Sequence, residues 1–298
     1  MKHAVLLLCL LAGCISSCMP SFLKDVPELA FFPTQIDIPE LRVEDSAALM
    51  TADAAGAEYR QFLAPSSSIT VYRGTYLSAD DAEAVFTADI VRTDSRLDAY
   101  ALLTGLRPEA GSYIPECRGF ADDGTGVSVH GKFFIRVTLS KKMLTSQSVI
   151  RSMLLFFNKS IPADEGDGAI SIADIFTSPE NPLPYYRTAR DEFFDMESIF
   201  GGRIRIENKD VLVFYALFPS EMSATDRYTS VLGSKKGFVV FESSAMHSAW
   251  MKNPSRTYSF LMQKGRWVYG ITDASSLDGG RSVLDAIGNR LAAAESGR

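Results

Sequence analysis

The chain is poor in the residues that carry metal and redox chemistry: it has three histidines and four cysteines in 298 residues. His3 and Cys9 fall in the first dozen positions, which leaves His130 and His247 as the only later imidazoles. Catalytic zinc needs two or three such ligands at set spacing, and no His-Glu-x-x-His occurs, so no metal and no cofactor is expected. Positive charge is also scarce. No run of Lys or Arg exceeds two residues and the net charge is -6, which excludes the basic face that nucleic acid requires. No apolar run approaches the roughly 20 residues of a membrane-spanning helix. A nucleophile elbow is missing too: in Gly126-Val127-Ser128-Val129-His130-Gly131 the second glycine comes one place late and the segment runs on as a strand. Gly124-Thr125-Gly126 precedes no helix, which removes a dinucleotide reading.

What is present is the balance of a globular protein, 46 % hydrophobic and 22 % charged, with length for one large domain or two ordinary ones. The first residues are the most specific. Lys2 and His3 precede an apolar stretch over residues 4–12, too short to remain as a spanning helix, and the stretch ends in Leu11-Ala12-Gly13-Cys14. This resembles the bacterial lipobox. The resemblance implies a signal peptide over residues 1–13, cleavage before Cys14, a diacylglycerol thioether on its sulfur and further acylation, palmitate being the usual kind of chain. Several acyl chains on one residue exceed the single-chain threshold for reversible membrane binding. The expected location is the bacterial cell envelope, lipid-anchored, with the outer membrane favoured over the inner because Ile15 rather than Asp follows the cysteine. Of the other cysteines, Cys18 and Cys117 either form a disulfide in that oxidising compartment or stay apart, Cys117 as a buried thiol.

Residues 14–39 read as tether and lead-in, broken by Pro20, Pro27, Pro33 and Pro39. Residues 40–160 then form a first half. Ala52, Ala55, Tyr59 and Phe62 predict a helix over residues 51–63, residues 68–77 alternate as a strand, and Ser78 heads a second helix carrying Ala82, Val85, Phe86 and Ile90. Strands over residues 127–129 and 133–139 join at a tight turn, and a helix covers residues 146–158. A Pro-rich, acidic linker spans residues 161–186. The second half, residues 187–298, predicts a helix at 190–200, a strand at 211–218, a helix at 223–232, strands at 237–242, 257–262 and 267–271, and a last helix at 277–294.

The two halves match in sequence as well as in order. Gly131-Lys132-Phe133-Phe134-Ile135-Arg136-Val137-Thr138 aligns with Gly265-Arg266-Trp267-Val268-Tyr269-Gly270-Ile271-Thr272, each followed by an amphipathic helix. The reading is an internal duplication and an α+β fold of two similar halves, each an antiparallel sheet with helices packed on one face.

Ala54-Ala55-Gly56-Ala57-Glu58-Tyr59, then the strand Ile69-Thr70-Val71-Tyr72, then Ser78 to Ala82 with its Ser-x-x-Asp-Ala pattern, is similar to the opening of an uncharacterised bacterial domain family often found in lipoproteins. The extra residue usual in that family between Glu and Tyr is absent here. The resemblance implies a location and a fold, with no activity attached.

Among single residues, Glu58 is the carboxylate to examine first: on an apolar-faced helix it either orients a ligand, pairs with Arg60 or another base, or stands as a surface charge. Tyr72, Trp267 and Tyr269 lie on strands, and with Glu58 they mark an expected ligand pocket between the halves, against the alternative of ordinary core packing. His130 falls in a turn and His247 in a helical or loop stretch near Trp250. Asp164 to Gly168 fits a calcium loop only with Ala163 in the first ligand position, so a solvated acidic linker is preferred. The leading functional reading is a lipid-anchored, non-enzymatic protein that binds a protein or small molecule. Its alternatives are an envelope hydrolase with a dispersed carboxylate site and a structural component of envelope assembly.

Overall fold

The structure, a computed structural model, describes residues 27–34, 36–50, 56–162, 176–206, 209–243 and 246–296. Cys14, Cys18 and the acidic stretch from Asp164 lie outside the described residues. The first half holds β1 (Leu41–Met50), the short α1 (Ala57–Arg60), β2 (Ile69–Ser78), β3 (Val85–Thr93), α2 (Arg96–Leu106), β4 (Ser112–Ile114), β5 (Gly119–Ala121), β6 (Thr125–His130), β7 (Phe133–Leu139) and α3 (Ser146–Ser160). The second holds β8 (Tyr185–Tyr186), β9 (Ile199–Ile206), β10 (Lys209–Leu217), α4 (Glu221–Ser234), β11 (Val239–Ser243), β12 (Met246–Lys252), β13 (Tyr258–Lys264), β14 (Trp267–Ala274) and α5 (Leu277–Ser296).

Each half builds one seven-stranded antiparallel sheet, in the orders β1-β2-β3-β7-β6-β5-β4 and β11-β12-β13-β14-β10-β9-β8. Read from the opposite end, the second order is the first. In both halves three strands precede a helix, four strands follow it, and a helix closes the unit. The matched glycines open the same turn, between β6 and β7 at Gly131 (φ 57°) and between β13 and β14 at Gly265 (φ 54°), a left-handed conformation that glycine adopts without steric cost. Equivalence extends to the caps: Ser95 Oγ accepts from Asp98 N ahead of α2, and Ser220 Oγ from Ser223 N ahead of α4. On the closing helices Val149, Ile150, Met153 and Phe157 are buried at the same spacing as Val283, Leu284, Ile287 and Leu291.

The α+β class with two similar sheet halves is as the sequence predicts, but the helices divide between the faces of each sheet. Side chains alternate along a strand, so Val91, Val127, Val129 and Phe134 face α2 while Ala88, Ile90, Ile135 and Val137 face α3. In the second sheet Phe214, Ala216 and Val268 face α4, and Val213, Tyr215, Tyr269 and Ile271 face α5. Both faces are therefore apolar, which a single covered face would not require.

One cluster spans the halves. α2 packs on β3, β6 and β7 and also on β8; Tyr100 lies edge-on to Phe200 with centroids 5.9 Å apart and donates its hydroxyl to Leu183 O at 3.1 Å. The meeting faces differ in kind, the α2 side of the first sheet against the α5 side of the second.

Several local expectations change. The segment after Ser78 is not a helix: Ser78 Oγ accepts from Asp80 N and Asp81 N in a turn, and Val85–Thr93 is a strand buried on both faces, whose apolar spacing imitates helical period. The predicted helix at 190–200 is a 3-10 turn at Asp191–Phe193 followed by positive φ at Phe194, Asp195 and Ser198, and β9 begins at Ile199. Of the predicted helix at 51–63 only Ala57–Arg60 is helical among the described residues. β8 lies inside the predicted 161–186 linker. The helix α2 and the strand β12, which carries His247, have no counterpart in the sequence reading.

Candidate binding groove

The expected pocket of Glu58, Tyr72, Trp267 and Tyr269 does not assemble, because the alternation of strands sends them to separate places. Tyr72 is buried among the side chains facing α3, where burial and the Glu28 carboxylate raise its phenol above the ordinary range. Trp267 and Tyr269 are buried on the α5 face of the other sheet; Tyr269 donates to Met262 Sδ at 2.6 Å, and burial raises its phenol too. These three serve the core.

Glu58 pairs with Arg136, across the fold, and not with Arg60. It borders a row of charge set by strand register. Arg73, Asp89 and Arg136 stand side by side on β2, β3 and β7. Arg73 holds Asp89 with two bonds, Nε to Oδ1 at 2.6 Å and a terminal nitrogen to Oδ2 at 2.7 Å, and Tyr59 donates to Asp89 Oδ2 at 2.5 Å. Burial, then the Asp89 charge, raises the Tyr59 phenol strongly. The same three positions in the second sheet are Gly201, Phe214 and Gly270. A Cβ on Gly270 would come within 2.4 Å of the Phe214 ring, and one on Gly201 within 2.6 Å of the Phe193 ring. One half thus builds a charged node and the other an aromatic one at the same spot.

The buried carboxylates Glu28, Asp89 and Asp98 each face a guanidinium, of Arg92, Arg73 and Arg187 respectively. Such pairing offsets the charge of each acid in place. Ser128 is a buried strand residue, His130 Nδ1 lies 2.9 Å from Asn158 Oδ1, and the His247 ring sits 5.9 Å from that of Tyr228. No group of three or more metal-ligating side chains occurs among the described residues. Cys117 is buried, and burial pushes its thiol up to about 12, where it is protonated and unreactive at neutral pH.

A different feature of the second half presents open apolar chemistry. Beyond the cover of α5 the sheet continues into β12 and β11, and a cavity of about 400 Å³ opens there, walled by Phe241, Trp250, Phe260, Met262 and Leu284, with Arg281 and Asp285 from α5. Register places Val239, Trp250 and Phe260 in one row and Phe241, Ser248 and Met262 in the next. Arg281 lies over the Phe241 ring, 5.6 Å from its centroid, a cation–π contact. The Trp250 indole nitrogen is buried without a hydrogen-bond partner. Sequence reading placed Phe241 on a strand and Arg281 on a helix; it missed β12, and hence the groove between them.

A second cleft of about 380 Å³ lies beside the junction of the halves, with Arg107 and Arg203 in its lining. Its arginines are already engaged: Arg107 lies 4.9 Å from the Phe120 centroid and Arg203 is 3.8 Å from Asp273.

Comparison with family models, with curated proteins and with solved structures returns no match, so the groove is read from its own chemistry.

Proposed function

We propose that the protein is a bacterial lipoprotein of the cell envelope, held to a membrane through Cys14, whose two-halved body binds a partner and performs no catalysis. The anchor rests on Leu11-Ala12-Gly13-Cys14 at the end of a short apolar leader. The outer membrane is its favoured site, by the Ile15 argument. The binding role rests on the groove beside Phe241, where Val239, Val240 and Phe241 stand exposed along the strand that borders it. The buried acids, each neutralised by an arginine, support binding over a carboxylate hydrolase. The similarity in order, caps and turn glycines supports an origin by internal duplication, and the likeness of Gly56 to Tyr59 to the lipoprotein-associated family fits the same reading.

The anchor is tested by labelling cells with radioactive palmitate and fractionating them. The wild-type chain should take up label and sediment with membranes, and Cys14→Ala should accumulate as unlabelled precursor. Equal labelling of the two would overturn the reading.

A further inference from the structure

We infer that the edge of β11, unpaired among the described residues, together with the Phe241–Trp250 groove, takes an extended peptide segment of a partner protein, bound as an added strand that places an apolar side chain in the groove and a carboxylate against Arg281. This deepens the binding role proposed above by naming the site and the class of partner.

Three observations carry it. The first is the edge itself. Sheets expose unpaired N–H and C=O groups at their edges, and proteins blunt them with short strands, bulges or charge. β4 and β8 have three and two residues, and β1 is broken by register shifts around Asp45. β11 is neither cut to two or three residues nor bulged, and carries one charged residue, Glu242: its register to β12 is regular over all five pairs, and Val239, Val240 and Phe241 are 43 %, 42 % and 50 % exposed, so both faces of the strand are open. Such an edge offers main-chain hydrogen bonds for affinity, with the adjoining groove for side-chain selection.

The second is a comparison within the molecule. The equivalent place in the first half is the space between β4 and α3, lined by Tyr113, Ala121, Gln147 and Arg151. There the chain satisfies itself: Gln147 donates to Ala121 O at 3.3 Å, and Arg151 is paired with Glu116 at 2.8 Å. In the second half Arg281 and Asp285 occupy the corresponding helix positions, and neither has an ion pair among the described residues.

The third is charge. Arg281 at the groove and exposed Lys236 just before β11 have no ion pair among the described residues, while the acids of the same region are Glu242 on β11 and Asp285 on α5; a carboxylate in the added strand supplies the pair that Arg281 lacks. Asp285, one turn along α5, lines the same groove with the opposite charge.

The test uses the full-length protein in detergent and two capped peptides of alternating valine and threonine, one with a central glutamate and one with a central lysine. Binding is followed by Trp250 fluorescence in a Trp267→Phe background and by amide hydrogen exchange. The glutamate peptide should bind saturably, slow exchange at Val239–Ser243, and weaken at least about tenfold in Arg281→Glu, which should instead prefer the lysine peptide. Absence of saturable binding, or binding without protection of β11, would overturn the proposal. So would self-association through β11 detected by sedimentation without peptide, or full competition by decanoate. None of these outcomes touches palmitate labelling at Cys14, so failure of the site and failure of the anchor are told apart.

Discussion

The Arg187 guanidinium lies 2.8 Å from the Asp98 carboxylate, and the two residues come from different halves of the chain. Asp98 is on α2, held by the Ser95 cap, with its side chain 1 % exposed; Arg187 follows β8 and is 24 % exposed. The contact has the distance of an ion pair without hydrogen-bond alignment. It fixes the junction electrostatically where Tyr100 and Phe200 fix it by packing.

Removing the cation should therefore cost more than removing both charges. Arg187→Ala leaves Asp98 buried and unpaired, with an expected loss of about 2–3 kcal/mol in urea unfolding. Adding Asp98→Asn should restore part of that loss. A double variant as unstable as the sum of the two single variants would show that the pair is not coupled.

The charged row of the first sheet makes a similar prediction with a gradation. Asp89→Ala strands Arg73 beside Arg136 and should cost about 3 kcal/mol, while Tyr59→Phe removes one hydrogen bond and should cost about 1–2 kcal/mol. Denaturant midpoints in the reverse order would contradict the geometry described.

Packing gives a third prediction, through Gly280. A Cβ there would meet Phe260 at 2.1 Å, so Gly280→Ala should destabilise by about 1–3 kcal/mol although alanine is the better helix former by about 1 kcal/mol. Phe260→Leu should relieve the clash. In the first half the small residue is on the strand instead, since a Cβ on Gly126 would meet Ile150 at 2.3 Å.

Acid should weaken the fold. Hydrogen bonds from Ser68 lower the Asp94 carboxyl, those from Lys235 lower Asp191, and backbone hydrogen bonding lowers Glu116, relative to ordinary values of 3.8, 3.8 and 4.5. A lowered folded pKa means stability that is complete above the unfolded value and is lost as pH falls through the folded one. Urea midpoints should hold level from neutrality to about pH 5 and fall below about pH 4. Asp94→Asn should flatten the slope; an unchanged slope in all three amide variants would show that other groups govern it.

The Cys117 thiol, pushed up to about 12 by burial, should resist alkylation in the native protein and react after unfolding, as read by peptide mass mapping. Rapid native modification would mean that the segment around Gly119 opens readily.

The readable parts of this fold are those where local pattern and burial agree. β7 and β14 follow a turn glycine and alternate cleanly, and α3 and α5 carry one apolar stripe. α2 escaped because Ala99, Tyr100, Ala101, Leu102 and Leu103 are all buried; a helix enclosed on every side has no stripe to detect. β3 misled for the same reason, being covered on both faces. Site residues were harder. That Glu58 meets Arg136 depends on β3 and β7 being neighbours, a pairing between strands separated by α2 and three others. That β11 forms an edge depends on the order of the whole sheet, which no local spacing encodes.

The polarity of α4 has a consequence for how far this architecture extends. Unlike faces meet at the junction, which is the geometry of an open-ended row, in which each added unit would present the same face again. Where α2 offers Tyr100 to its neighbour, the corresponding position of α4 is Thr225, followed by solvent-exposed Asp226. Terminal repeats in solenoids stay soluble by the same substitution of polar for apolar residues on the outer helix. The outer face of α4 thus offers a further unit none of the apolar contact that α2 gives the second half.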